Sequence, residues 1–260
     1  MIKLSVIIPS YKDKYMPKTV RSLLDNSELG DQMEIVVVLD GYEPDFRLVE
    51  DPRVRYIRQE NTGMRGAINR AVKESKGEYL MRTDEHCLFG KGFDRILLED
   101  MQDNWIVSGL RYFLDPVEWV VMEKPPVLAE RLIIDRDRKK FAGVRCEKPE
   151  GDIFEVTAMQ GSMWFMKRSW WDAVIRELQT EGYGPLYQDS IEMSFKTWKA
   201  GGKLMRNNKM FYAHKDRSFS RTHNINREES QKSFDYARNT WKDYFMEIKK
   251  EWQTRLPHCY

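Results

Sequence analysis

A mostly parallel α/β sheet flanked by helices and finished by a C-terminal helical extension is the fold this 260-residue sequence predicts. Three observations predict it. Short β-branched apolar runs recur through the first third, polar segments with helical spacing separate some of them, and aromatic residues at helical intervals fill the last stretch.

The strands are predicted at KLSVIIP (3–9), EIVVVLD (34–40), VRYIRQ (54–59) and EYLMRTD (78–84). Between them, Val20, Leu23 and Leu24 sit at helical offsets in 16–27, and Ala67, Ile68, Ala71 and Val72 do so in 63–78. Strands buried between such helices favour parallel pairing. A further helix is predicted at 91–104, followed by the apolar run WIVSGLRYFL (105–114). From Asp115 to Phe154 the pattern loosens around Pro116, Pro125, Pro126 and Pro149, which fits either a surface excursion or a substrate-binding insertion. Order returns with a strand running into a helix at 156–175, a turn at 181–189, a helix at 190–202 ended by two glycines, and a last strand at 203–216. Phe234, Tyr236, Trp241, Tyr244, Phe245 and Trp252 then mark a C-terminal amphipathic helix.

Composition narrows the function classes only in part. The 43 basic and 41 acidic residues leave a net charge of +2, so the overall balance selects no polyanionic partner. Cys87, Cys146 and Cys259 share no CxxC spacing and are odd in number, against both a disulfide framework and a zinc ribbon. No apolar run has the length of a signal core or a membrane span, which predicts a cytoplasmic protein without a transmembrane segment.

Open parallel sheets bind ligands at the carboxyl ends of their strands. There the sequence places Pro9, Ser10 and Tyr11, then Asp40 and Gly41, then QENTGMRGA, then Asp84, Glu85 and His86. The set suits a nucleoside diphosphate: Tyr11 offers a ring face to a base, Asp40 accepts its imide hydrogen, and Arg65 supplies charge to phosphate. Asp84 and His86, two apart in an extended segment, point together and suit a divalent cation, with Glu85 facing elsewhere. Bland readings stand beside these, since Asp40–Gly41 also makes a turn and Asp-Glu-His also makes a surface bend. No Walker loop and no GxGxxG follows the first strand, so P-loop and dinucleotide readings lose support.

Taken in succession, LSVIIPSYKD, EIVVVLDG, QENTGMRGAINRAVKESKGEYLMRTDEH and YGPLYQDSIEMSFKTWKAGGKL resemble the family 2 glycosyltransferases, with their Rossmann-like GT-A fold, over nearly the whole chain. The resemblance implies one domain over 1–260: a nucleotide-binding half at 1–115, an acceptor-binding half at 116–225 and a C-terminal helix at 226–260. Where that family writes DxD, this chain has Asp84-Glu85-His86, which resembles the DxH of the polypeptide N-acetylgalactosaminyltransferases. That likeness implies Mn2+ or Mg2+ held by Asp84, His86 and a distant histidine, at whose position His214 stands. It further implies a nucleotide-sugar donor, of uridine type, and transfer of a hexosyl or N-acetylhexosaminyl group. Asp189 falls where inverting members place the acceptor base, with Glu192 as its neighbour, although Asp189 also suits a helix cap. Gly161 and Trp164 fall where the sugar and acceptor cleft is lined, although Trp164 also suits the core.

The acceptor is open between a glycan, a lipid, a protein and a hydroxymethylated DNA base. Basic residues in KLMRNNKMFYAHKDRSFSR (203–221) and RDRKK (136–140) favour an anionic acceptor if they flank the cleft, and a solvated surface if they do not. Two rivals are a non-catalytic sugar-binding module and a nucleotidyltransferase; the second lacks its N-terminal phosphate loop.

Overall fold

The run Leu4–Ser10 forms strand β1, every residue of it buried. Its alternation divides the core. Leu4, Val6 and Ile8 face the layer that holds Met16, Val20 and Leu23 of helix α1 (Met16–Asn26), while Ile7 faces Ala67, Ile68 and Ala71 of helix α2 (Gly63–Glu74). The computed structural model describes residues 1–137, 139–145, 151–184, 187–219, 226–257 and 259–260. Of the segments singled out above, Arg138, Cys146, Pro149, Pro185, Leu186, Ser220 and Arg221 lie outside that set.

The other predicted strands of the first third are β2 (Met33–Asp40), β3 (Val54–Gln59) and β4 (Tyr79–Thr83). β1 pairs with β2 and β4, and β2 with β3, all in parallel; α1 makes the crossover from β1 to β2, while the link from β2 to β3 is a helix-free loop of 13 residues, 41–53. Next come the short β5 (Cys87–Phe89), helix α3 (Phe93–Glu99) and the long β6 (Trp105–Asp115).

The region that looks irregular in sequence carries strands after all. β7 (Val120–Val121) pairs with β6, while β8 (Arg131–Asp135) and β9 (Lys140–Val144) form their own antiparallel hairpin before β10 (Ile153–Val156). Prolines and mixed charge hid them because β8 and β9 are mostly half-exposed. After β11 (Met163–Lys167), the expected helix is only one α turn, α4 (Arg168–Trp170), running into a π turn (Trp171–Ile175). It stops where Arg176 adopts φ +61°. Helix α5 (Asp189–Lys199), strand β12 (Lys203–Lys215) and helix α6 (Arg227–Arg255) follow.

The main sheet runs β10-β12-β6-β11-β4-β1-β2-β3, with β5 on β12 and β7 on β6. β6 and β12 are parallel, and β11 runs against both β4 and β6. The result is a mixed, mostly parallel α/β sheet with flanking helices. On α6, Trp241, Phe245, Ile248 and Trp252 form a buried stripe at helical spacing. Trp241 stacks on Phe195 of α5 at 5.1 Å, and Trp252 meets Trp198 at 4.6 Å.

Candidate active site and cation centre

Because β1, β2 and β4 are parallel, their carboxyl ends open on one edge of the sheet. β11 runs the other way, which brings Gln160, Gly161 and Ser162, just before it, to the same edge; the Asp84 N–H donates to the Ser162 carbonyl at 3.0 Å. β12 delivers His214. Its antiparallel pairing with β5 sets His214 opposite Cys87, and the Lys215 N–H donates to the His86 carbonyl at 3.1 Å. These elements enclose a cleft of about 570 Å³.

On the cleft wall Asp84, His86 and His214 each present one ligand atom, all within 4.8 Å of one another. His214 Nε2 lies 3.0 Å from Asp84 Oδ2 and 3.1 Å from His86 Nε2. The other side of each group is held in place. His86 Nδ1 is 3.0 Å from Asp13 Oδ2, which also accepts from Lys215 Nζ at 3.2 Å. His214 Nδ1 is 2.9 Å from the Lys215 carbonyl, and Asp84 Oδ1 accepts from Arg82, whose guanidinium also donates to the Gly161 carbonyl.

The electrostatics keep Asp84 ionised and the His214 ring neutral. Burial alone would raise the Asp84 pKa, but Arg82, His214 and His86 overcome it and hold the carboxyl well below the usual range. Burial lowers His214 to about 4 against the pull of Asp84, so the ring is neutral at pH 7. Burial would raise Asp13, but its hydrogen bonds with His86 and the Tyr15 N–H and the charges of His86 and Lys215 together lower it to about 2, so an anion faces His86 Nδ1. With their hydrogens on Nδ1, given to Asp13 and to the Lys215 carbonyl, both imidazoles would turn a bare Nε2 inward. In that tautomer two ring nitrogens and a carboxylate oxygen converge, a donor set that fits a divalent cation and that outer hydrogen bonds orient.

Asp189 stands at the amino end of α5, behind Gln188 at the cap, and lines the cleft beside Gly161. A Cβ on Gly161 would lie 3.4 Å from Asp189 Oδ1. Asp189 Oδ2 is buried without a hydrogen-bond partner among the described residues. Burial raises its pKa, although Arg82 and Arg65 pull it down.

Residues 5–170 match the model of the glycosyl transferase family 2. The chain belongs to glycosyl transferase family 2. Its fold is similar to that of GalNAc-T7, solved with UDP, GalNAc and Mn2+, at a TM-score of 0.72 and 18% identity over 99% of this chain and 53% of that one. It is also similar to S. aureus TarS 1–349, at a TM-score of 0.52 and 15% identity over 82% of this chain and 60% of that one. This family 2 chain thus spans about half the length of the GalNAc-T7 structure. No curated protein matches the sequence.

In this family 2 glycosyltransferase the cleft gathers Pro9, Tyr11, Asp40, Asp84, His86, Gly161, Asp189 and His214, as their positions in the sequence suggest. Asp40 is 3% exposed and its carboxylate caps α2, accepting the Thr62 and Gly63 N–H groups at 2.8 Å each. Gly41, at φ +75°, is needed there: a Cβ would sit 2.9 Å from the Asn61 nitrogen. Glu85 turns from the cation cluster and accepts the Tyr11 N–H at 3.1 Å.

Three expected residues are not brought to the cleft. The Arg65 guanidinium is fully buried, donating to the Gln179 and Tyr187 carbonyls and to Glu192, so it is not turned to phosphate. Glu192, one turn into α5, is committed to that ion pair and to Lys196 at 2.7 Å. Trp164 is fully buried and stacks on Trp171 at 5.7 Å, so its face is closed to a sugar. The basic segments also change meaning. Lys209 pairs with Asp100, Lys215 with Asp13, and Arg206 lies buried near Glu130; Lys139 and Lys140 sit on the β8–β9 hairpin against α6, away from the cleft.

Asp13, Arg82, Arg111 and Gln160 are cleft residues that sequence reasoning missed. Asp13, three residues past the end of β1, was within reach of the strand-end rule. Arg82 and Arg111 lie inside strands, where an isolated arginine gives no signal of which face it takes.

Proposed function

We propose that this protein is a cation-dependent transferase that moves a hexosyl or N-acetylhexosaminyl group from a UDP-sugar to an acceptor hydroxyl. The observation that carries it is the convergence of Asp84, His86 and His214 on a cleft that also holds the buried Asp189 carboxylate, whose Oδ2 has no hydrogen-bond partner among the described residues. The likeness to a fold solved with UDP, GalNAc and Mn2+ supports uridine and manganese.

Asp84, His86 and His214 would hold the cation, whose charge, when bound, stabilises the departing diphosphate. Asp13 and the Lys215 carbonyl fix the two imidazoles so that no reorientation is needed. Tyr11 and Pro9 line the base end of the cleft, near Asp40. Asp189 takes the proton of the attacking hydroxyl, and its raised pKa brings it nearer the working pH of a general base. We read the chain as one transferase domain with its nucleotide-binding half at 1–115 and its acceptor-binding half at 116–225. A glycan, lipid or protein hydroxyl is the acceptor class; the pairing of Lys209 with Asp100 and of Lys215 with Asp13 offsets part of the charge that favoured DNA, while Lys215 and Arg217 line the cleft. A binding module without catalysis has no use for the Asp189 carboxylate.

The test is a panel of UDP-, GDP- and dTDP-sugars with and without Mn2+, read by thermal stabilisation and by sugar-nucleotide hydrolysis. UDP-sugars with Mn2+ are expected to raise Tm and be hydrolysed, and Asp84→Ala to abolish both effects. Stabilisation equal in EDTA would overturn the reading.

A further inference from the structure

We propose that Arg111 is an anion-binding residue of the cleft, contacting the diphosphate of the donor beside the cation centre; this rests on the donor proposed above. Arg111 lines the cleft and is 8% exposed, a charged group set almost wholly out of water. Its Nη1 donates to Gln160 Oε1 at 2.7 Å, and its Nε has no hydrogen-bond partner among the described residues. Its Nη2 lies 3.2 Å from His214 Nδ1. That nitrogen, however, carries the hydrogen given to the Lys215 carbonyl whenever Nε2 is kept bare for a cation, so Nη2 then faces a donor and lacks an acceptor.

The other arginines of the region differ. Arg82 has Asp84 and Arg65 has Glu192, whereas Arg111 has the Gln160 amide and the His214 ring and no ion pair among the described residues. A buried guanidinium without an anion is costly, so such a group is retained where a ligand supplies the charge. The ligand here is defined by position. Arg111 is one imidazole away from the point where Asp84, His86 and His214 converge, and a group that touches both a divalent cation and a forked guanidinium is a phosphate oxygen pair. In the reaction Arg111 would then bear on the oxygens that gain charge as the glycosidic C–O bond to the diphosphate breaks and the electron pair leaves with phosphate.

The test measures dissociation constants for UDP, uridine, inorganic pyrophosphate and Mn2+ alone, in the wild-type chain, Arg111→Gln and Arg111→Lys. With Mn2+ present, Arg111→Gln is expected to weaken UDP and pyrophosphate by roughly 10- to 100-fold. Uridine and Mn2+ alone should bind no more weakly than to the wild type. Arg111→Lys, which keeps the charge without the fork, should fall between, and it decides the matter if the glutamine variant does not fold. UDP affinity unchanged in either variant overturns the assignment, and so does a parallel loss of uridine or Mn2+ binding, which would mark a structural role. A wild-type chain that binds UDP while Arg111→Gln binds it as tightly defeats this inference alone; a wild-type chain that binds no nucleotide defeats the donor as well.

Discussion

Asp189 is held by its surroundings in a state that costs the fold something and serves the chemistry. Burial raises its pKa, and the sign follows: a carboxyl whose pKa is higher folded than unfolded stabilises the fold only while protonated. That stability is lost as pH rises from the ordinary aspartate range through the folded value. Asp189→Asn is therefore expected to be at least as stable as the wild type at pH 7 and to lose this part of the pH dependence, read from Tm between pH 4 and 8. The same variant should lower kcat by roughly 10²- to 10⁴-fold, as loss of a general base does, while UDP still binds. Retained activity with unchanged kcat would remove Asp189 from catalysis. At Asp13 the expected effect is on the cation. Asp13→Ala takes away the partner that orients His86, and Mn2+ affinity measured by calorimetry should fall about 10- to 100-fold.

Helix α5 shows how much an element decides beyond its sequence. Asp189 and Glu192 lie three apart on it, yet one lines the cleft and the other is buried against Arg65 of α2. Helical spacing made the helix itself readable, but not which acid faces the ligand, because that depends on where α2 packs. Glu192→Ala leaves the Arg65 charge buried and unpaired and is expected to cost about 3–5 kcal/mol in urea denaturation, with the cation site intact. Trp164 shows the same limit, since a tryptophan beside a cleft motif reads alike whether it faces a sugar or Trp171. On α6, by contrast, the aromatic stripe did foretell the packing. Trp252, fully buried against Trp198, is expected to cost about 3–5 kcal/mol when replaced by alanine, from lost transfer energy and the cavity left behind.

At the scale of the whole molecule, the parallel pairing of β1 to β4 and the strand-end clustering of Pro9, Asp40 and Asp84 were readable from the alternation of apolar runs with helical segments, whereas the order β3-β2-β1-β4 came only with the structure. The far half was less so. β11 runs against its neighbours, and β5, three residues long, carries no periodicity, yet its pairing with β12 is what brings His214 to His86 across 128 positions of chain. His214 was found through resemblance, not from local pattern. Among the described residues no helix is long and apolar enough to cross a membrane. The cation centre is where these long-range pairings meet, and anomalous scattering from crystals grown with Mn2+ and UDP tests it most directly. One manganese peak bonded to Asp84, His86 and His214, with phosphate oxygens beside it, is the expected result. Bound UDP with no metal among those three side chains would contradict it.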